Sequence, residues 1–166
     1  MTALPATLLL VALERLGELL WAKRNTARLR RRGAVEIDAR GYRLFVALHL
    51  CWLGGLALTV PPATPPNRPL LLLYALLQPV RLWVMASLGR FWTTRILTLP
   101  GAPLVKTGPY RWLRHPNYLV VAAEIAVLPL AFGAVAMAVL FSLGNLALTL
   151  RRIAIEERVL APRRGL

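Results

Sequence analysis

Apolar residues fall into four blocks, at about 3–22, 42–60, 69–88 and 117–150, separated by connections rich in charge, proline and glycine. A helix rises about 1.5 Å per residue, so crossing roughly 30 Å of hydrocarbon takes about 20 apolar residues. The first three blocks predict one membrane helix each. The fourth runs over 34 residues, too long for one crossing, and its Pro129-Leu-Ala-Phe-Gly133 offers a break. It therefore predicts a helical hairpin with arms at about 117–131 and 134–150. The expectation is an all-α, polytopic membrane bundle of about five helices, forming a single domain over residues 1–166. No small-residue cleavage site follows the first block, which reads as a retained anchor.

Polar residues inside these blocks narrow the packing. Glu14, Glu18, Trp21 and Asn25 recur at helical spacing and form one stripe that should face protein rather than lipid, with Arg15 placed to pair with Glu18. Glu124 and Asn145 lie at similar depths on the two hairpin arms, close enough for a hydrogen bond between them that would serve function or simply lock the hairpin. His49 shares a face with Phe45 and Trp52 and reads as a packed core residue. No second histidine is spaced to help it bind metal, and no metal is implied.

Composition supports the membrane reading and removes rivals. With 57% hydrophobic residues and mean hydropathy +0.56 in 166 residues, a soluble domain would have more apolar surface than it could hide. A formal charge of +14 could suggest nucleic acid, but the cations cluster beside apolar spans, where anionic headgroups would meet them. Eight Lys or Arg residues follow the first span, five lie within 90–114 and five from 151 onward, against Arg68 alone in 61–68. The positive-inside rule then puts the N-terminus outside and the C-terminus in the cytoplasm. Arginine outnumbers lysine 19 to 2, which suits a GC-rich bacterial genome and hence a bacterial inner membrane. A lone cysteine, Cys51, rules out disulfides as organising features. The Pro61–Pro66 run is a stiff external connection.

Two segments carry the candidate chemistry, and both fall on the cytoplasmic side. Lys106-Thr-Gly-Pro-Tyr-Arg-Trp-Leu-Arg-His-Pro-Asn-Tyr118 stands at the mouth of the hairpin. Pro116 holds His115 extended and allows a helix to start behind it, where free N–H groups and the helix dipole suit an anion. Arg152-Ile-Ala-Ile-Glu156-Glu157 leaves the hairpin, with Arg152 and Glu156 four apart on one face. An ordinary capping histidine and an ordinary surface ion pair are the alternatives. Glu157 and Arg151 would take over if the helix register differed by one.

Together these segments resemble the isoprenylcysteine carboxyl methyltransferase family of integral-membrane enzymes. The resemblance covers about 88–160, with a looser echo in Glu14-Arg15, Arg24-Asn25 and Leu88–Thr93. It implies a catalytic part in that range, S-adenosylmethionine as methyl donor with S-adenosylhomocysteine as product, and a cytoplasmic cofactor pocket. Carried over residue by residue, it places Ala102, Pro103, Leu104, Val105, Tyr110, His115, Pro116, Asn117, Tyr118 and Glu156 at the cofactor. It assigns Arg152 to the substrate and to catalysis. The implied acceptor is a lipophilic small molecule drawn from membrane lipids, either an isoprenylcysteine-like carboxylate or the phenol or enol oxygen of an alkylresorcinol or alkylpyrone. Membrane sterol-type reductases using NADPH carry a similar Arg-His-Pro-Asn-Tyr core and are the enzymatic alternative. A scaffold or small transporter is the alternative outside catalysis.

Overall fold

The computed structural model describes residues 2–161. Five α-helices account for most of them: α1 (Ala3–Arg31), α2 (Ala39–Thr59), α3 (Arg68–Leu88), α4 (Pro116–Ala131) and α5 (Val135–Leu160). Two three-residue strands, β1 (Val35–Ile37) and β2 (Ile96–Thr98), pair antiparallel, with Glu36 opposite Leu97. Helix α4 is central, packing closely against α3 and α5, while α2 lies along α5.

The molecule is turned inside out relative to a water-soluble bundle. In α1, Leu10, Leu13 and Leu16 are more than half exposed whereas Glu18 and Asn25 are buried. That arrangement satisfies polar groups internally and offers leucines to hydrocarbon. Among the described residues, three segments qualify as membrane spans by length and hydropathy: 39–59, 68–91 and 135–160. The other two expected spans, the first and the fourth, fall short for distinct reasons. Charge at Glu14, Arg15 and Glu18 dilutes α1, which runs past the expected anchor to residue 31 as a basic extension. Helix α4 has 16 residues, about 24 Å, and is shielded by its neighbours.

The hairpin break falls where proline and glycine indicated. Gly133 adopts φ +72°, its N–H bonds to Leu130 C=O, and the next N–H, Ala134, reaches back to Pro129 C=O. This Schellman geometry satisfies the end of α4 and turns the chain into α5.

Asp38 starts α2 from a left-handed conformation, φ 59°, and accepts from Gly41 N–H at 3.1 Å. Its carboxylate also takes two bonds from Arg151, at 2.6 and 2.8 Å, tying α2 to α5. The Asn25 amide donates to Gly89 and Trp92 carbonyls, both at 2.9 Å, which fastens the inner end of α1 to the turn after α3. The short β-pair adds a third tie, reinforced by Arg95 reaching Glu36 across it at 2.5 Å.

Candidate active site

One cavity of about 890 Å³ runs from the segments around residues 103–118 and the end of α5 into the bundle as far as Arg15, Glu18 and Arg81. Its outer wall brings together both sequence motifs. His115 is the N-cap residue of α4, yet its side chain makes no capping bond and is free to face α5. Imidazole Nε2 lies 2.8 Å from Glu157 Oε1, and Nδ1 lies 3.3 Å from Glu156 Oε2. The Glu156 bond holds the His115 pKa above the usual histidine value; desolvation opposes it, and Glu157 adds to it.

Tyr118, one turn into α4, stacks its ring on His115 with centroids 5.5 Å apart. Its hydroxyl donates to Glu156 Oε1 at 2.5 Å and accepts from Arg152 Nε at 2.8 Å. Arg152 is buried and also donates to Thr94 C=O at 3.0 Å, while its guanidinium carbon sits 5.3 Å from the Phe45 ring centroid. The i,i+4 contact of Arg152 with Glu156 is 3.4 Å. Burial pushes the Tyr110 phenol up, and Glu156 pushes it further.

Most of the expected cofactor residues line this cavity: Pro103, Leu104, Val105, Tyr110, His115, Asn117, Tyr118 and Glu156, together with Arg152. Ala102 and Pro116 do not. Ala102 is buried behind the wall, and Pro116 is packed into the first turn of α4, so each shapes the backbone rather than the surface. Glu157 is on the wall as well, paired with His115, and Arg114 reaches it at 3.5 Å. Arg151 instead joins Asp38. Three polar wall atoms are buried without a partner among the described residues, Asn117 Oδ1, Trp92 Nε1 and, deeper in, Arg15 Nε.

The inner end holds a cluster that sequence reasoning caught only in part. Arg81, on α3, pairs with both carboxylate oxygens of Glu18, one at 2.6 Å, and with Glu124 Oε2 at 2.9 Å. Arg15 meets the same two carboxylates, at 3.0 and 2.9 Å. The anticipated Arg15–Glu18 pair is present. Glu124 turns to the two guanidiniums rather than to Asn145, because a charged donor binds a carboxylate more strongly than an amide does. A visible signal for Arg81 was its position as the single cation amid the apolar 69–88 block.

A membrane bundle whose cavity carries a histidine, a tyrosine and an arginine–glutamate pair on its wall defines the class, and sequence comparison agrees. The model of the isoprenylcysteine carboxyl methyltransferase family matches residues 70–162, and the chain belongs to that family of membrane methyltransferases. It is 36% identical over 155 residues to the uncharacterized protein YpbQ of Bacillus subtilis (strain 168), covering 91% of this chain and 92% of YpbQ. No solved structure matches.

Proposed function

We propose that the chain transfers a methyl group from S-adenosylmethionine to an oxygen of a lipophilic acceptor, at the cytoplasmic face of a bacterial inner membrane. The carrying observation is the continuity of the cavity. Its outer wall carries His115, Asn117, Tyr118, Arg152 and Glu156, and farther along it includes Leu19 of α1 and Leu50 of α2, which are 41% and 67% exposed on the apolar outer surface. Such a cavity lets a polar cofactor come from the cytoplasm and a lipid head slide in between α1 and α2.

The wall residues fit the donor. Asn117 Oδ1, an acceptor without a partner among the described residues, suits an amino group such as that of adenine. Pro103, Leu104 and Val105 offer an apolar surface to a flat ring, and Glu156 suits ribose hydroxyls or the cofactor's ammonium. His115 and the start of α4 favour its carboxylate. When bound, S-adenosylmethionine supplies an electrophilic methyl group on a sulfonium.

The protein's contribution is then alignment and exclusion of water. Tyr118 and Thr94 fix the Arg152 guanidinium, so it presents its charge at one place on the wall. There it would orient an anionic acceptor oxygen. With no CAAX protein expected in a bacterium, long-chain pyrones and resorcinols are the acceptors this reading favours.

The test assays methyl transfer to a long-chain resorcinol or pyrone beside a farnesylated cysteine analogue, in wild type and Arg152→Ala. Transfer to the polyketide-type lipid should fall at least about 100-fold in the variant, while affinity for S-adenosylhomocysteine changes far less. Methylation of farnesyl-cysteine alone would overturn the acceptor assignment. Unchanged turnover would remove Arg152 from the reaction.

A further inference from the structure

We propose that His49 is the general base that takes the proton from a hydroxyl acceptor. This rests on the reading that the acceptor is a phenol or enol lipid, and it supplies a group which that reading lacks. Such an oxygen is mostly protonated at neutral pH, with an ordinary phenol pKa near 10, so a positioned base accelerates its attack by about 10²–10⁴.

Three observations lead to His49. First, its tautomer is fixed. Nδ1 lies 2.8 Å from the Phe45 backbone oxygen, and a carbonyl can only accept, so Nδ1 carries the hydrogen. Nε2 is left with the lone pair and has no hydrogen-bond partner among the described residues. An edge-on contact with Trp52, centroids 6.3 Å apart, steadies the ring.

Second, His49 is on the cavity wall at a suitable place. It lies one helical turn beyond Phe45 on the same face of α2, and Phe45 is the ring against which Arg152 packs. That turn is about 5.4 Å, deeper into the membrane. An acceptor head lying between them would meet a cation toward the cytoplasm and a lone pair toward the bilayer centre.

Third, the other bases on this wall are committed. Both oxygens of Glu18 accept from arginines. Glu156 accepts from Tyr118 and contacts His115, while Glu157 meets the other nitrogen of His115. Glu124, in contact with Arg15 and Arg81, is not on the wall. The charged groups around His49 are thus Arg15 and Glu18 from α1, Arg81 from α3 and Glu124 from α4, paired among themselves.

The step balances. The acceptor O–H bond breaks and its proton goes to Nε2. The oxygen pair forms the new O–CH₃ bond as the methyl–sulfur bond breaks, and that electron pair stays on sulfur as a neutral thioether. The positive charge of the sulfonium is replaced by that of the imidazolium, which then releases its proton to water.

Two variants test this in the full-length protein. His49→Asn keeps a donor for Phe45 C=O, and His49→Gln places an amide near the Nε2 position; neither is basic. Methylation of a long-chain resorcinol should fall about 100-fold or more in both, with S-adenosylhomocysteine affinity within about twofold of wild type. A readout independent of turnover uses a long-chain alkyl nitrophenol bound beside S-adenosylhomocysteine, at a pH where the free probe is protonated. Wild type should show the phenolate absorbance band and the variants should lose it. Turnover within threefold of wild type, or an undiminished phenolate band, overturns the role of His49. S-adenosylhomocysteine binding and methylation that persist in wild type leave the methyltransferase reading standing in that case. Absence of transfer in wild type instead overturns that reading and the base with it.

Discussion

The two ends of the cavity are both built from arginine and glutamate, and they differ in what shares the site with those charges. At the inner end, Arg15 and Arg81 face Glu18 and Glu124, cation matched to anion across three helices. At the outer end, Arg152 and Glu156 are joined by His115, Tyr118 and Asn117, groups that can donate, accept or change charge. Opposite charges paired in low dielectric hold helices in register, even though Arg15 Nε and Glu124 Oε1 are left without partners among the described residues. A mixed set whose members can donate, accept or change charge is better suited to binding. Polar residues within a membrane protein are therefore sorted by their partners rather than by their charge.

The largest expected effect comes from breaking the inner set of ion pairs. Arg81→Ala leaves Glu18 and Glu124 with Arg15 alone, and removing one partner of a buried network costs about 3–5 kcal/mol. Thermal unfolding in detergent should show a steep loss of midpoint. A variant as stable as wild type would mean that the inner cluster does not hold the bundle.

At the outer end, His115→Ala should weaken S-adenosylhomocysteine binding by about 1–3 kcal/mol while leaving the fold intact. Its stability effect has a definite sign. Because Glu156 raises the His115 pKa in the folded chain, the pairing contributes fully below the ordinary histidine pKa of about 6.5 and is lost as pH rises through the higher folded value. Unfolding midpoints of wild type and variant measured across pH should therefore converge on the alkaline side. A gap that widens with pH would contradict the pairing.

The smallest effect is at the rim. Asp38 caps α2 and is held below the ordinary carboxylate range, chiefly by its Arg151 hydrogen bonds, so its contribution is present at neutral pH and is lost as pH falls through the lowered value. Asp38→Ala should cost about 1 kcal/mol, and Asp38→Asn less, since asparagine caps as well and tolerates the left-handed backbone. Equal losses in both would put the stabilisation in the Arg151 pair rather than the cap.

Much of this frame was legible in the chain. Apolar block length placed α2, α3 and the first hairpin arm within a few residues, whereas α5 runs on to residue 160, past the apolar end at about 150; Gly133 located the turn because glycine readily takes the left-handed backbone that ends a helix. Local spacing also gave Arg15–Glu18 and Arg152–Glu156, since pairs three or four apart meet on any helix. What spacing could not reach were contacts between elements. Strands of three residues, with Val35 paired to Thr98, carry too little pattern to be read. The meeting of Arg81 with Glu18 and Glu124 depends on how α1, α3 and α4 pack, and it redirected the Glu124 side chain away from Asn145. His49 read as a core residue because its free nitrogen is evident only once the cavity is known.

The central claim is that the outer cluster binds the methyl donor, and calorimetric titration of the purified protein with S-adenosylhomocysteine, beside NADPH, tests it most directly. Saturable one-site binding of S-adenosylhomocysteine and no heat from NADPH are the expected results. Binding of NADPH with none of S-adenosylhomocysteine would contradict it.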